Sequence, residues 1–593
     1  MPETDPMVPA RERMRALEGL DGVPVPQESK DTDYSSSLSD AKQQVAESHL
    51  QQPAEAPPVH HDAPRTEAAA SESPSPAPAG PSGFELELKL LVDADRLADF
   101  NDAPIIATHA RSKGVRKHLK SVYYDTPERT LRRNGLSLRV RQSGARFVQT
   151  VKAERENDPL RRGEWEASVP SIAPDVALAM PFIPEKLRAN LEHRELDAVF
   201  IADIHRHERF VDLPSGTVEV AFDHGVLTSG DRSLPVSEIE LELKSGNPSA
   251  IYDLALRLAE HGPLRPSIRS KSARGFDLAA GTPPVARKPR KLHLAPSISL
   301  DEAFAAILRG CLHHLLQSMP AAEDGRDPEG IHQLRVSLRR LRAALALMRS
   351  VGSSGKLDAL WSEARWLAQN LSAARDWDVF QTETLPAVAE GCPSIGGFEA
   401  LAEVTEKRQL AAYRKVRLAL ADRRCASFVI GLGGLIEERS WRSDIASESL
   451  GQLSEPAINF ADRTFSEQHA KVLKRGRHFK SLSAEKRHRL RLALKKLRYV
   501  ADFLLPLYED RKSAKRFSGK LADLQEELGA SNDMATTTSL LAGLGAEPTE
   551  SATAAAAIVG WQAHAMASAE APLRRAWCDF AKTRPPWSRD AEA

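Results

Sequence analysis

Charged and apolar residues alternate with period two along Glu85-Leu86-Glu87-Leu88-Lys89, and the beat returns at Glu238-Ile239-Glu240-Leu241-Glu242-Leu243-Lys244. In an extended strand, odd and even residues face opposite sides of a sheet. Glu85, Glu87 and Lys89 therefore share one face, and Leu86, Leu88 and Leu90 the other. Residues 136–141, 147–152, 163–167 and 217–223 alternate in the same way. Turn residues at Asn134-Gly135, Pro214-Ser215-Gly216 and Ser245-Gly246-Asn247 part them. Helical stretches near 183–196 and 248–261 interrupt the strands. Residues 84–280 thus read as an α+β domain on an antiparallel sheet or barrel.

The flanks follow other patterns. Residues 1–83 are rich in Pro, Ala, Ser, Gln and Glu, as in Ser71-Glu72-Ser73-Pro74-Ser75-Pro76-Ala77-Pro78. Such a segment cannot bury enough surface to offset its ordering entropy, and it reads as a disordered tail. Residues 281–296 form a basic, proline-containing linker. From 297 to about 585 the pattern is helical throughout, rich in Ala, Leu, Arg and Glu. This region repeats itself. His332-Gln333-Leu334-Arg335-Val336-Ser337-Leu338-Arg339-Arg340-Leu341-Arg342 returns as His488-Arg489-Leu490-Arg491-Leu492-Ala493-Leu494-Lys495-Lys496-Leu497-Arg498. Leu371-Ser372-Ala373-Ala374-Arg375-Asp376 is answered by Leu528-Gly529-Ala530-Ser531-Asn532-Asp533 at nearly the same offset. Two duplicated helical halves, about 297–450 and 451–585, are expected.

Composition narrows the class. A chain of 593 residues with 41% hydrophobic content is too long for one core. Lys plus Arg and Asp plus Glu both number 81, so only local charge can speak about partners. Cys311, Cys392, Cys425 and Cys578 show no ligand-like spacing, which argues against a disulfide framework or structural zinc site and fits a reducing compartment. No apolar run approaches the length of about 18 residues that a membrane span needs. The N-terminus has no secretory leader pattern, so the cytoplasm is the expected location.

Local charge is where chemistry enters. A single alternating strand is ordinarily a solvated sheet face. Here, however, Arg139 and Arg141 make a cationic strand, while Glu238, Glu240 and Glu242 make an anionic one. Like charges two residues apart on one face repel, so same-sign strands call for counter-ligands. A hard divalent cation would relieve the carboxylates, and a phosphate chain would relieve the Arg and Lys residues.

These strands resemble the CYTH, or triphosphate tunnel metalloenzyme, superfamily. The resemblance rests on Glu85-x-Glu87-x-Lys89, Tyr123-Tyr124-Asp125-Thr126, Leu136-x-Leu138-Arg139-x-Arg141, Thr150-x-Lys152 and Arg162-x-Glu164-x-Glu166. It continues in order through Arg206, Val220-Ala221-Phe222-Asp223, Glu238-x-Glu240-x-Glu242 and Ser270-Lys271-Ser272-Ala273-Arg274-Gly275-Phe276. It implies an eight-stranded antiparallel barrel whose hollow centre binds a triphosphate. Glu85, Glu87, Glu240 and Glu242 would then be Mg²⁺ or Mn²⁺ ligands, with Asp223, Glu164, Glu166 and Glu238 as weaker candidates. Lys89, Arg139, Arg141, Lys152, Arg206 and Lys271 would grip phosphate oxygens. Phe276 stands where relatives often carry Tyr, and whether Arg209 also reaches the tunnel is open at this point.

On a helical wheel, His332, Arg335, Arg339 and Arg342 fall within an arc of about 80°, as do His488, Arg491, Lys495 and Arg498. No acid lies between Glu329 and Asp358, or between Glu485 and Asp502, so both stripes read as unpaired. Together with Arg375-Asp376-x-Asp378 and Leu524-Gln525-x-x-Leu528-Gly529-x-x-Asn532-Asp533, the stripes resemble the CHAD family, a helical domain that often follows a CYTH domain. This resemblance implies binding of long-chain polyphosphate, with Arg340, Lys474 and Lys496 joining the stripes and Lys471 and Arg475 extending them. Arg375, Asp376, Asn532 and Asp533 read as ties between helices. The combined expectation is an inorganic triphosphatase that splits tripolyphosphate into pyrophosphate and phosphate and associates with polyphosphate granules. The alternatives are a noncatalytic polyphosphate-binding protein, or an enzyme acting on nucleoside or thiamine triphosphates, adenylate cyclase included. Nucleic acid is disfavoured because the stripes lack interleaved aromatics.

Overall fold

The leucine faces of the first and eighth strands decide the architecture, because they must be covered. The computed structural model describes residues 85–154, 161–189, 191, 194, 196–352, 354–544 and 549–587; the tail read at 1–83 lies outside the described residues. The front domain is one antiparallel sheet of nine strands: β1 (Glu85–Leu91), β2 (Val115–Asp125), β3 (Leu136–Ser143), β4 (Arg146–Glu154), β5 (Arg161–Val169), β6 (Asp197–Leu213), β7 (Gly216–Ser229), β8 (Arg232–Gly246) and β9 (Arg265–Ser267). Their order is β5-β4-β3-β2-β6-β7-β8-β1-β9. Eight long strands were expected, and β9 adds three residues at the edge beside β1. The curled sheet meets itself where Glu85 and Leu86 of β1 pair with Arg162 and Arg161 of β5. With so short a seam the result is an approximate tunnel rather than a fully laddered barrel.

Leucines point outward and charges inward. Leu86, Leu88 and Leu90 pack with Val218, Val220, Ile239 and Leu241 beneath helix α1 (Ser249–His261), whose Ile251, Leu254 and Leu258 face them. Each such side chain contributes about 1.5–3 kcal/mol on leaving water. The helix expected near 183–196 is a single turn, Glu185–Arg188, opened by Pro184.

Helix α2 (Lys271–Ala280) fills one end of the tunnel. Its Phe276 joins Tyr123, Phe200, Ala202, Leu227 and Val236 in a cluster of inward-facing residues. The Phe276 ring meets Phe200 edge-on at 5.4 Å, and Phe200 stacks on Tyr123 at 4.3 Å. Ser270 caps the helix by accepting from the Ala273 amide at 3.1 Å.

The rear domain is all helix: α3 (Leu300–Asp324), α4 (Pro328–Met348), α5 (Gly355–Asn370), α6 (Ser372–Val379), α7 (Phe398–Ala421), α8 (Arg423–Glu438), α9 (Ala457–Arg475) and α10 (Ala484–Leu504), with further helices reaching Lys582. Local signals start them. Ser299 and Glu302 form a capping box on α3, Asp327 caps α4 just before Pro328, and Ser483 caps α10. One continuous apolar core runs from Leu294 to Phe580 through both repeats. The front and rear domains also share packing: Ala426 and Ile430 of α8 enter the core beneath α1, and Tyr252 lies against Gly433 and Gly434. Arg265 of β9 pairs with Glu323 of α3. No helix among the described residues is long and apolar enough to cross a membrane.

Gly275 lets α2 sit this close, because a Cβ there would overlap the Phe200 ring. A helical Gly→Ala change ordinarily gains about 1 kcal/mol, whereas overpacking costs about 1–3 kcal/mol. Gly275→Ala should therefore lower the melting temperature. Gly310→Ala, which opens onto free space in α3, should leave it unchanged or raise it. Thermal unfolding of the two variants checks this.

A charged tunnel as the candidate active site

The inward faces enclose a cavity of about 330 Å³. Register decides which charges meet there. Across β1 and β8, Glu87 stands opposite Glu242 and Lys89 opposite Glu240. Across β3, β4 and β5, Arg139 aligns with Thr150 and Glu166, while Lys152 aligns with Glu164. Asp223 of β7 lies between Arg206 of β6 and Glu238 of β8.

The deep part is a knot of mutual neutralisation. Arg206 forks onto Asp223 at 2.8 and 2.7 Å and also reaches Glu240. Lys271 donates to Asp223 at 2.6 Å and Glu240 at 3.0 Å, and contacts Glu238, which Arg274 also holds. Lys89 bridges Glu87 and Glu240, so it is more than a partner to its strand neighbour. Burial alone would raise the carboxyl of Glu240, but Lys271, Lys89 and Arg206 hold it well below its ordinary value. Burial likewise opposes the charge on Lys271, and Asp223, Glu238 and Glu240 reverse that and raise it. These groups stay ionised because each sits among opposite charges.

The opposite wall is cation-rich. Lys152 donates to Glu164 at 2.6 Å, and Arg139 donates to the same carboxylate at 3.2 Å, so two cations share it. Arg141 has only the Ser121 hydroxyl, at 3.3 Å, and among the described residues no carboxylate within ion-pair distance. Burial, and then the charge of Arg139, brings the Arg141 guanidinium down to about 10. Tyr123 shares this wall: burial would raise its phenol, but Arg139, Arg141 and Lys152 pull it below its usual value.

The carboxylates fit a divalent cation by donor chemistry, since hard ions of this kind take oxygen ligands. Asp223, Glu238 and Glu240 present oxygens within 4.8 Å of one another. The side chains of Asp223 and Glu238 are 0% exposed and enclosed by cations, whereas Glu87 and Glu242 remain 26% and 22% exposed. Glu87, Glu164, Glu166, Asp223, Glu240 and Glu242 all line the cavity, and on the β1–β8 side Glu87 and Glu242 are the more open of them. Glu164 serves Lys152 and Arg139, and Glu166 accepts from Thr150 at 3.1 Å. Glu85 heads β1, but its side chain lies outside the described part of the structure.

Arg209 faces away from the tunnel and donates to the Asn101 carbonyl at 3.0 Å. Asp125, prominent in the Tyr-Tyr-Asp-Thr motif, anchors a loop by accepting from the amides of Thr126, Leu131 and Arg132. Sequence reasoning assigned no tunnel role to Tyr123, Ser121 or Arg274. The parity of β2 would have placed the first two, since both lie an even number of residues apart on one face. Arg274 is one helical turn beyond Lys271.

In the rear domain the repeats fall on α4 and α10. Arg339 and Arg375 lie within electrostatic reach of both His332 and Arg335; burial lowers the Arg335 guanidinium, with Asp376 opposing the shift and the two arginines adding to it. The Nη1 of Arg335 is buried and has no hydrogen-bond partner among the described residues. Arg339 is exposed, Arg491 and Lys495 are half-buried, and Lys474, His488 and Lys496 stand at the surface. The expectation of unpaired stripes needs correction. Asp502 takes Arg498 at 3.2 Å from its own helix and Arg340 at 3.4 Å from α4, because residue 502 lies one turn beyond Arg498. Arg340 also covers Phe503, and Arg342 covers Trp361 of α5 at 4.8 Å. Asp378 of α6 is buried and accepts from Gln409 at 2.7 Å and Tyr413 at 3.0 Å, tying α6 to α7. The side chains of Asn532 and Asp533 lie outside the described part.

Comparisons with known proteins agree with this division. Residues 83–276 match the CYTH domain model, and residues 306–542 match the CHAD domain model. An inorganic triphosphatase of Haemophilus influenzae is 30% identical over 165 residues, 27% of this chain and 46% of that protein. The chain thus spans less than half the length of this curated relative. An uncharacterized protein of Mycobacterium tuberculosis is 28% identical over 413 residues, 65% of this chain and 75% of its own. The crystal structure of the CHAD domain from the plant Ricinus communis aligns with 31% identity and a TM-score of 0.45, covering 51% of this chain and 98% of that one.

Burial pushes the Asp378 carboxyl up to about 6, against the opposing pull of Gln409 and Tyr413. A carboxyl whose folded pKa lies above its unfolded value stabilises when protonated. That contribution is present below an ordinary Asp pKa of about 4 and is lost as pH rises through about 6. Asp378→Asn keeps an acceptor without the charge. It should flatten the fall in melting temperature between those pH values, measured by thermal scans across pH.

Proposed function

Because the chain carries a CYTH domain followed by a CHAD domain, we propose that the tunnel is a metal-dependent inorganic triphosphatase site. It would hydrolyse tripolyphosphate to pyrophosphate and phosphate. The observation that carries this reading is Arg141: a half-buried guanidinium facing the cavity, repelled by Arg139 and, among the described residues, hydrogen-bonded to the Ser121 hydroxyl alone. Such a wall is completed by an anion with several oxygens, and guanidinium forks match phosphate oxygens two at a time. Arg139, Arg141 and Lys152 take the phosphate chain, with the Tyr123 phenol beside them. Arg206, Lys89 and Lys271 are held in place by carboxylates, so they present fixed positive charge to the deep end of the chain.

Glu87, Glu240 and Glu242 would hold Mg²⁺ or Mn²⁺, with Glu85 and Asp223 as further ligands. When bound, the ion supplies charge against phosphoryl oxygens and makes water more acidic. The protein's own part is placement. Rigid strands aim cations where negative charge gathers during phosphoryl transfer, and the enclosed space strengthens each interaction by excluding water.

For the rear domain we propose a surface for long-chain polyphosphate, built on His332, Arg335, Arg339 and Arg342 of α4 and on His488, Arg491, Lys495 and Arg498 of α10. Lys474, Lys496 and Arg340 flank it. Such binding would hold the enzyme at cytoplasmic polyphosphate granules. The crowding of Arg335 and Arg339 against Arg375, with a buried Nη1 lacking any partner among the described residues, supports it.

Glu87→Gln should abolish Mg²⁺- or Mn²⁺-dependent phosphate release from tripolyphosphate while circular dichroism stays native. Arg141→Ala should lower kcat/KM by about 10²-fold or more. Unchanged turnover in both variants would sink the triphosphatase reading, and a panel including ATP and thiamine triphosphate fixes the substrate.

Replacing Arg335, Arg339, Arg491 and Lys495 together by Ala should weaken binding of long-chain polyphosphate. It should also flatten the salt dependence of that binding, since fewer counterions are exchanged. Fluorescence titration at several salt concentrations measures both, and retained affinity with an unaltered slope would place the polymer elsewhere.

A further inference from the structure

Three histidines stand in a row across the outside of the tunnel. His118 of β2 is the register partner of His205 in β6, and His205 is the register partner of His224 in β7. Parity fixes their direction: Arg206 and Asp223, their chain neighbours, line the cavity, so His205 and His224 face outward. All three are exposed. The rings of His118 and His205 stack at 4.5 Å and 5°, and those of His205 and His224 at 5.2 Å and 20°. Asp203, two residues before His205 on the same face, meets the His118 Nε2 at 2.5 Å. Donor atoms of His118, Asp203 and His205 lie within 4.8 Å of one another.

We propose that His118, His205 and Asp203 form a surface site for a divalent transition ion of the Zn²⁺ class, separate from the tunnel. Two imidazole nitrogens and one carboxylate are a donor set that such borderline ions take and that Mg²⁺ does not favour. The fourth position falls to water or to His224. Bringing the nitrogens onto one ion requires only rotation about χ2, a broad torsion, and exposed rings turn without repacking a core. The strands supply the rest, because a ladder holds directly opposed residues at close spacing. Lys120 is the register partner of Asp203, so its charge opposes the ion and sets a limit on affinity. An ion bound here would join β2 to β6 on the wall whose inner side carries Ser121, Tyr123 and Arg206. Donor chemistry thus sorts two kinds of metal on the two faces of one sheet: all-oxygen inside and nitrogen-containing outside.

The test uses the full chain without a polyhistidine tag, in a large excess of Mg²⁺ so that the carboxylate tunnel is already served. Titration calorimetry with Zn²⁺ should show one saturable site, and Co²⁺ should give visible bands stronger than those of an all-oxygen complex. The double variant His118→Ala/His205→Ala should weaken Zn²⁺ binding at least about tenfold and lose the Co²⁺ bands. Asp203→Asn should weaken binding less, and Lys120→Ala should strengthen it. His564→Ala, an exposed histidine on the helix Thr549–Ser568, should change nothing. Zn²⁺ should also raise the melting temperature of the wild type and not that of the double variant. Equal Zn²⁺ binding by the wild type and a folded double variant would overturn the proposal, as would no binding by the wild type in Mg²⁺. If the double variant fails to fold, Asp203→Asn and Lys120→Ala decide it: binding that moves with neither overturns the site.

Discussion

A sheet that turns its charges inward must neutralise them, and that requirement organises the front domain. Isolated carboxylates or ammonium groups in so enclosed a space would cost several kcal/mol each. Arg206, Lys271 and Lys89 therefore interlock with Asp223, Glu238 and Glu240 from five elements of the fold, β1, β6, β7, β8 and α2. This knot needs α2 to be seated in the tunnel, which needs Gly275 to lie against Phe200. It also needs the leucine faces to be covered from outside by α1. Packing outside and ion pairing inside are two sides of one arrangement of strands.

Neutralisation is uneven, and the unevenness is chemically useful. The deep carboxylates are satisfied, while on the wall of Arg139, Arg141 and Lys152 the carboxylate of Glu164 is shared by two cations and Glu166 lies 3.8 Å from Arg139. A binding site is a place where the protein leaves an interaction for its ligand to complete. Between the cationic wall and the open carboxylates Glu87 and Glu242, the cavity offers room for an anion and for a cation at once. The outer face of the same strands shows how strictly parity divides the chemistry, with histidines standing one residue away from tunnel-lining Arg206 and Asp223.

The helical domain handles excess charge differently. It leaves Arg339 at the surface, lays Arg340 and Arg342 on aromatic faces, and uses Asp502 and Asp378 as internal fastenings. Its two repeats share one apolar core, so neither half is a separate body. The shared core also reaches the front domain through α8, whose glycines let Tyr252 approach.

Much of this was legible in the residues themselves. Period-two alternation gave the strands and the face of each charge, because side-chain direction in a strand is a local property. The helical stripes and their duplication were equally local. What alternation could not supply was partnership. Nothing in the sequence says that Lys271 meets Asp223 rather than phosphate, that Arg209 turns outward to Asn101, or that Asp502 gathers Arg340 and Arg498. Nor does it say that His118, His205 and His224 fall in one row, since residues so distant along the chain are aligned only by strand register. The sequence by itself determined which residues carry charge and on which face of their own element. The tertiary structure alone decided which opposite charges cancel and which, such as Arg141, do not, because electrostatic pairing depends on distances between elements that no local pattern encodes.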